Sequence, residues 1–305
     1  MHVVRYPLLA ALIALLCSCI SAPKMHLKSY ADKEWDAQKK LTVEFVPQKK
    51  NLCGPSVIKM AAEVFSPPQP LASYQKITFR ENVQGTFKSD ILSAARRLDL
   101  VPYKVDSINE LISEVHEGRP VVVFQNLGLA WLPQWHFALV VGYDLDKNIL
   151  YLHSGTKAYE EWNLDHFVYS WQGGGAWAYI LLPPTQLPKT ATFDEVLDNA
   201  MLFEKIKKPD IAKTIFKTMT QKFPDRYEPH LGLANLYYNE QNRRLAIMQS
   251  QEALNKNPSE PALLFNLAIL YHEDGQYEKA YEMKDLALVA TPEELKLMYL
   301  EKLSF

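Results

Sequence analysis

The sequence predicts an α+β domain followed by an all-α domain of helical repeats. Three observations carry that expectation. Helical periodicity comes first and strand-like runs follow it between residues 41 and 182. The stretch Pro183-Pro184-Thr185-Gln186-Leu187-Pro188 then reads as a stiff linker. Beyond it, residue types recur at a spacing of 34. A chain of 305 residues suits about two domains. Its formal charge of −2 gives neither the basic excess of a nucleic-acid binder nor an acidic disordered tail.

The first residues stand apart. Arg5 is the sole charge before an almost wholly apolar run from Tyr6 to Leu16. A short positive region and a short apolar region make a secretory signal, too short to span a bilayer. Leu16-Cys17-Ser18-Cys19 follows. It resembles the lipobox of bacterial lipoproteins, with small Ser18 before the lipidated Cys19. The expected segments are therefore a signal peptide over 1–18 and a polar, Lys-rich tether over 19–40. Ile20 after the cysteine implies a lipid anchor in an outer membrane, facing the periplasm. Removal of Cys17 and lipidation of Cys19 leave Cys53 as the one free thiol. A lone thiol in an oxidising compartment has no disulfide partner and is a candidate nucleophile.

The α+β domain is expected over 41–184. Leu41 to Val46 alternates as a strand does. Cys53-Gly54-Pro55 opens a helix whose apolar face is Val57, Ile58, Ala61, Val64 and Phe65. Pro55 suits the first turn, where a missing N–H costs nothing, and Pro67-Pro68 stops the helix. A second helix is expected from an N-cap at Ser89, and a third from Ser107, with Glu110 completing a capping box. Strands follow at Pro120–Phe124, Trp135–Tyr143, Ile149–His153 and Trp177–Leu182. The Gly-rich Trp171–Trp177 run lacks a phosphate-loop lysine and is read as a turn or cleft wall. Trp131, Trp135 and Trp162 either line a substrate groove or pack in the core, with core packing the default.

After a linker over 185–192, the repeats occupy 193–305. Pro224, Pro258 and Pro292 share one column, Ala212, Ala246 and Ala280 a second, and Ala200, Ala234 and Ala268 a third. Phe203, Tyr237 and Tyr271 form a fourth. Small residues let two helices approach closely and the aromatic fills the gap between units. This is the tetratricopeptide pattern, divided as 193–226, 227–260 and 261–294, with a capping helix from Leu295. Such concave surfaces imply a protein partner.

Chemistry centres on Cys53. At a helix start its sulfur is expected near free N–H groups that favour the thiolate. Gln48 can bring an amide donor to the same place. Thiol catalysis also needs a base. Among eight histidines, His136 is distinctive because it opens the apolar strand Phe137-Ala138-Leu139-Val140-Val141. No metal-ligand spacing appears, so no cofactor or metal is expected.

Val46-Pro47-Gln48, Cys53-Gly54-Pro55-Ser56 and Trp135-His136-Phe137-Ala138-Leu139-Val140-Val141-Gly142-Tyr143-Asp144 resemble the bacteriocin-processing, double-glycine-leader peptidases and their relatives. The resemblance implies an α+β papain-like cysteine peptidase domain ahead of the all-α tetratricopeptide repeat domain. It implies Cys53 as nucleophile, His136 as base and Gln48 at the oxyanion hole. Those enzymes carry an Asp on the strand after the histidine, and here Ser154 takes that place. If Tyr143 pairs with Ile149, His136 lies opposite Thr156. Ser154 then shares its face while His153 points away. Ser154 can accept the imidazole N–H but brings no charge. The relatives are usually fused to a transporter, whereas this sequence has no transmembrane segment beyond the signal. Three functions remain open: a lipid-anchored peptidase with peptide or protein substrates, an acyl transferase to amines, and an inactive peptide-binding scaffold.

Overall fold

The computed structural model describes residues 24–302. Seven antiparallel strands form one sheet: β1 (Gln38–Lys40), β2 (Val101–Lys104), β3 (Val121–Asn126), β4 (Trp135–Asp144), β5 (Ile149–Ser154), β6 (Lys157–Asn163) and β7 (Ala178–Leu182). The spatial order is β2-β7-β3-β4-β5-β6. Strand β3 pairs with Trp135–Val140 of β4, and β1 pairs with the following Gly142–Asp144. Five helices cover this sheet: α1 (Cys53–Ala62), α2 (Leu71–Thr78), α3 (Lys88–Arg97), α4 (Ile108–His116) and α5 (Leu164–Gly173). The strands of the centre read as near-continuous apolar runs because helices and loops bury both faces. From Phe137 to Tyr143 every residue of β4 is buried.

Several expectations need correction. The strand placed at Leu41–Val46 lies earlier, at Gln38–Lys40. The alternation still reports burial, since Leu41 and Val43 are buried while Thr42 and Glu44 are exposed. The backbone there finds mixed partners: Leu41 N donates to Val141 O (2.7 Å), Tyr159 Oη donates to Leu41 O (2.8 Å) and His153 Nε2 lies 3.0 Å from Val43 O. The tether is likewise not free from residue 24 onward. Leu27 is fully buried, its N–H donates to Asn148 Oδ1 (2.8 Å), and Trp35 stacks on His116 at 4.4 Å. Its apolar anchors are spaced among lysines, so no periodicity announced them. The signal peptide and Cys19 lie outside the described residues.

Ser107 does cap α4, accepting from Glu110 N at 3.1 Å, but Glu110 reaches back to Asp106 N. Ser89 is not a cap. Helix α3 starts a residue earlier, where the Asp90 carboxylate accepts the Phe87 N–H (2.9 Å) and binds Arg80. Strands β2 and β6 and helices α2 and α5 went unforeseen. The first two are short or exposed. Helix α5 does carry an apolar stripe, Leu164, Phe167, Val168 and Trp171, that the sequence reading passed over.

The repeats fold as α6 (Phe193–Lys205), α7 (Pro209–Lys222), α8 (Glu228–Asn239), α9 (Arg243–Lys256), α10 (Pro261–Glu273), α11 (Tyr277–Ala290) and α12 (Glu293–Lys302). Both alanine columns are buried. The first repeat shares a core cluster with the sheet domain through Val196, Ala200 and Phe203. Polar contacts tie the same seam: Lys104 N donates to Glu195 Oε1 (3.0 Å) and Thr218 Oγ1 to Pro184 O (3.1 Å).

The β1–β4 pairing leaves no room at Gly142, where a Cβ would stand 2.4 Å from Lys39 O. Gly142→Val is expected to push β1 off the sheet and cost about 1–3 kcal/mol of stability, as overpacking does. A lowered thermal midpoint with unchanged helix content measures it.

Candidate active site

Helix α1 begins at Cys53 itself, so the thiol sits on the first turn, where backbone N–H groups are unpaired. Asn51 just before it takes a left-handed φ of 66°, which asparagine tolerates. Gly54 permits close approach of the loop above, because a Cβ there would meet the Thr86 side chain at 2.4 Å. The sulfur accepts from the N–H groups of Phe137, Gly54 and Cys53. Burial nonetheless outweighs them and pushes the thiol above its ordinary 9.0. The helix-start N–H groups thus favour the thiolate as expected, and desolvation opposes them.

His136 lies on the first turn of the pleat of β4, and its Nε2 is 3.0 Å from Ser154 Oγ. Burial depresses its basicity below the usual 6.5, and the Glu160 carboxylate raises it by less. Among the described residues no hydrogen bond joins Cys53 to the His136 ring. The two are brought together through the backbone, since the sulfur is bound by the residue next to His136.

Gln48 acts as a clamp between strands. Its Nε2 donates to Phe137 O (3.1 Å), its Oε1 accepts from Gly155 N (2.9 Å), and its own N–H donates to Gly155 O (2.8 Å). Gln48 thus joins the residue after His136 to the residue after Ser154. One hydrogen of its amide remains for another acceptor.

The register that delivers Ser154 differs from the expected one. Tyr143 pairs with Leu150, not Ile149, and an irregularity between Val140 and Gly142 then restores Val140↔Leu152. The bulge shifts the ladder by one residue, so Ser154 reaches His136 after all. His153 points to the other side, where Nδ1 accepts from Tyr159 N (3.1 Å). Asp144 and Asp146 lie in the turn at the far end of β4. Asp144 Oδ1 there accepts from Asp146 N (3.1 Å) and Lys147 N (2.9 Å).

A pocket of about 690 Å³ opens beside the thiol, walled by Val83, Phe87, Phe124, Trp135 and Phe137. Lys88, on its wall, donates to Gly174 O (2.7 Å), which ties the Gly-rich run to the pocket although residues 171–177 do not line it. Trp131 and Trp135 are not core residues: they are 78% and 55% exposed. Trp162 is half-buried and donates to Glu160 Oε2 (3.1 Å). Gln125, directly opposite His136 on β3, was missed by sequence reasoning. It is fully buried and donates to Ser170 Oγ (2.8 Å). Nothing in a local sequence window links residues 125, 136 and 170. No described cluster of three or more His, Cys, Asp or Glu is placed to hold a metal ion.

The site thus sets a helix-borne cysteine beside a strand that bears a histidine, on an antiparallel sheet. Residues 40–178 match the Peptidase C39 like family, and residues 250–282 match the tetratricopeptide repeat. The chain therefore joins a C39-like peptidase domain to an all-helical repeat region. A structure of a C39-like peptidase from Bacillus anthracis is 17% identical, covers 50% of this chain and 100% of its own, with a TM-score of 0.40. The peptidase domain of Streptococcus ComA, a bifunctional ABC transporter, is 22% identical over 46% of this chain and 98% of its own (TM-score 0.38). The repeats are similar to the Yersinia enterocolitica translocator chaperone SycD, at 19% identity over 36% of this chain and 87% of that one (TM-score 0.34). Comparison with curated proteins finds no match.

Burial holds His116, His136 and His153 below their ordinary 6.5. The unfolded chain takes up protons first as pH falls through 6.5, so the folded state loses stability there and keeps losing it down to the lowered folded values. Thermal midpoints measured from pH 8 to pH 5 are expected to hold above about 7 and decline below 6.5.

Proposed function

We propose that the chain is a cysteine peptidase of the bacterial cell envelope, lipid-anchored at Cys19, whose repeats bind a protein partner. The observation that carries the catalytic reading is the convergence of Cys53, His136, Ser154 and Gln48 on two short backbone segments, 136–137 and 154–155. The anchor and location rest on Leu16-Cys17-Ser18-Cys19. The partner rests on the repeats, whose relatives include a chaperone of a secretion translocator.

The resting pair is neutral, because burial raises the thiol and lowers the imidazole. With Nε2–H donated to Ser154 Oγ, Nδ1 keeps the free lone pair. As the sulfur attacks a peptide carbonyl, the thiol proton passes to that nitrogen. The oxyanion meets the N–H groups at the start of α1 and the spare amide hydrogen of Gln48. Collapse breaks the C–N bond, His136 returns the proton to the leaving amine, and water hydrolyses the thioester.

One observation favours the inactive scaffold instead: the site holds a raised thiol and a serine where the family has its acid. The two readings separate on acyl-enzyme formation. The peptidase reading expects a thioester on Cys53, seen by mass spectrometry after mixing with a peptide library. It also expects Cys53→Ala or His136→Ala to lose about 10⁴-fold or more in kcat/KM. Absence of both acylation and hydrolysis establishes the scaffold. For a neutral pair, kcat/KM is expected to rise with pH through a midpoint below 6.5 and stay level toward 9. A bell centred on an acidic thiolate contradicts that mechanism.

A further inference from the structure

The connection between β3 and β4 is apolar and turned to solvent. Residues 127–135 read Leu-Gly-Leu-Ala-Trp-Leu-Pro-Gln-Trp, without one charged side chain. Every residue from Leu129 to Trp135 is exposed, and Trp131 is 78% exposed. A contiguous exposed apolar patch marks a surface that meets something other than water.

The loop is also a built element. Leu132 N donates to Leu129 O (3.0 Å) and closes the turn, and Leu127 N donates to Gln134 O (2.8 Å) below it. The buried Asn126 side chain accepts from Gly128 N (3.0 Å) and from Gln134 N (2.9 Å). Gly128 lets the two arms close, since a Cβ there would meet Leu132 O at 2.3 Å. Pro133 has no N–H to satisfy. An apolar phase requires backbone groups to pair internally, and the N–H groups of both arms already do so. At the tip the N–H groups of Ala130 and Trp131 have no partner among the described residues, which limits the seat to a depth where lipid headgroups can accept them. Trp135 at the base stacks on Phe124 (5.4 Å), and both wall the pocket beside Cys53.

Two features point to a bilayer in preference to a protein. Protein interfaces carry a polar, hydrogen-bonding rim, whereas this loop is free of charge and stands out as a closed turn instead of a groove. The N-terminal segment, in addition, leaves the body at the opposite end of β4, where Asn148 of the β4–β5 turn binds the backbone of Met25 and Leu27. Cys19 and Lys24 are five residues apart, at most about 18 Å of chain. Strand β4 itself spans about 30 Å. With β4 lying along the bilayer, a lipid at one end and the loop at the other reach the same surface.

We propose that the 127–135 loop is a second membrane contact, seated at headgroup depth in the bilayer that holds the lipid anchor. Trp131 and its flanking leucines meet the upper acyl carbons, the level at which tryptophan is favoured. Trp135 joins the loop to the pocket, so the mouth of the site opens at the bilayer surface. The inference rests on the lipid-anchored reading of Cys19.

The test uses the lipidated full chain in vesicles of phosphatidylethanolamine and phosphatidylglycerol whose acyl chains carry bromine, a contact quencher of tryptophan. Wild type is expected to be quenched, Trp131→Phe to lose most of that quenching, and Trp177→Phe, inside the domain, to lose none. Leu129→Glu with Leu132→Glu should melt like wild type and lower the quenching at least about twofold, because a carboxylate resists entry into the acyl region. Mass spectrometry of the same protein reports the lipid on Cys19. A lipidated chain whose Trp131 is not quenched overturns the assignment and leaves the anchor standing. A chain without lipid whose Trp131 is quenched by added vesicles removes the anchor and upholds the loop contact. Two other occupants overturn the assignment as well: a dimer that Trp131→Glu dissociates in light scattering, or a KM for soluble peptides that Leu132→Glu raises while Trp131 stays unquenched.

Discussion

The site depends on what β4 does with the polar groups of Phe137. In an antiparallel sheet they would be spent on a neighbouring strand. Here the Phe124 N–H goes to Trp177 O (3.0 Å), so the 124–137 pair makes no hydrogen bond across β3 and Phe137 turns its N–H and C=O toward β5. The regular β4–β5 ladder begins only at Leu139↔His153. Phe137 is thus left with a donor and an acceptor at the mouth of the sheet. The sulfur of Cys53 takes the donor and the amide of Gln48 fills the acceptor. A buried backbone group must find a partner, and that requirement draws helix, loop and strand to one point.

Burial sets the electrostatic character of what is assembled there. Three N–H groups on a sulfur favour a thiolate, yet desolvation prevails and the thiol stays neutral. The imidazole is pushed the same way, toward its neutral form. In the proposed reaction charge appears only as the proton moves, so groups that respond to charge in the transition state would matter more than those in the resting site. Ser154 fixes the ring without supplying charge.

The repeat region is not a freely hanging appendage at its near end. Its first helix pair packs into the sheet domain's core, and Lys208 Nζ reaches back to Arg96 O at 2.8 Å. The later repeats hold a separate small core around Ala246, Leu267, Tyr271 and Ala280. The array therefore starts from a rigid base beside the peptidase domain and extends by neighbour-to-neighbour stacking. A partner held on the later repeats is tethered to the same body as Cys53.

The sequence by itself determined the order of an α+β region before a helical one and singled out Cys53, His136 and Gln48. These signals are local or strictly periodic: a cysteine at a helix start, a histidine opening an apolar strand, four columns at one spacing. It also placed Ser154 beside His136, though through a register off by one that the bulge at Val141 compensates. Tertiary structure alone decided the rest. The packing of residues 24–40, the true first strand, the clamp role of Gln48 and the place of Gln125 all come from contacts between distant segments. Gln125 is the clearest case. Nothing in its neighbourhood along the chain links it to His136 or Ser170. Only strand pairing sets it opposite His136, because a sheet brings together residues by register and pleat, not by nearness along the chain.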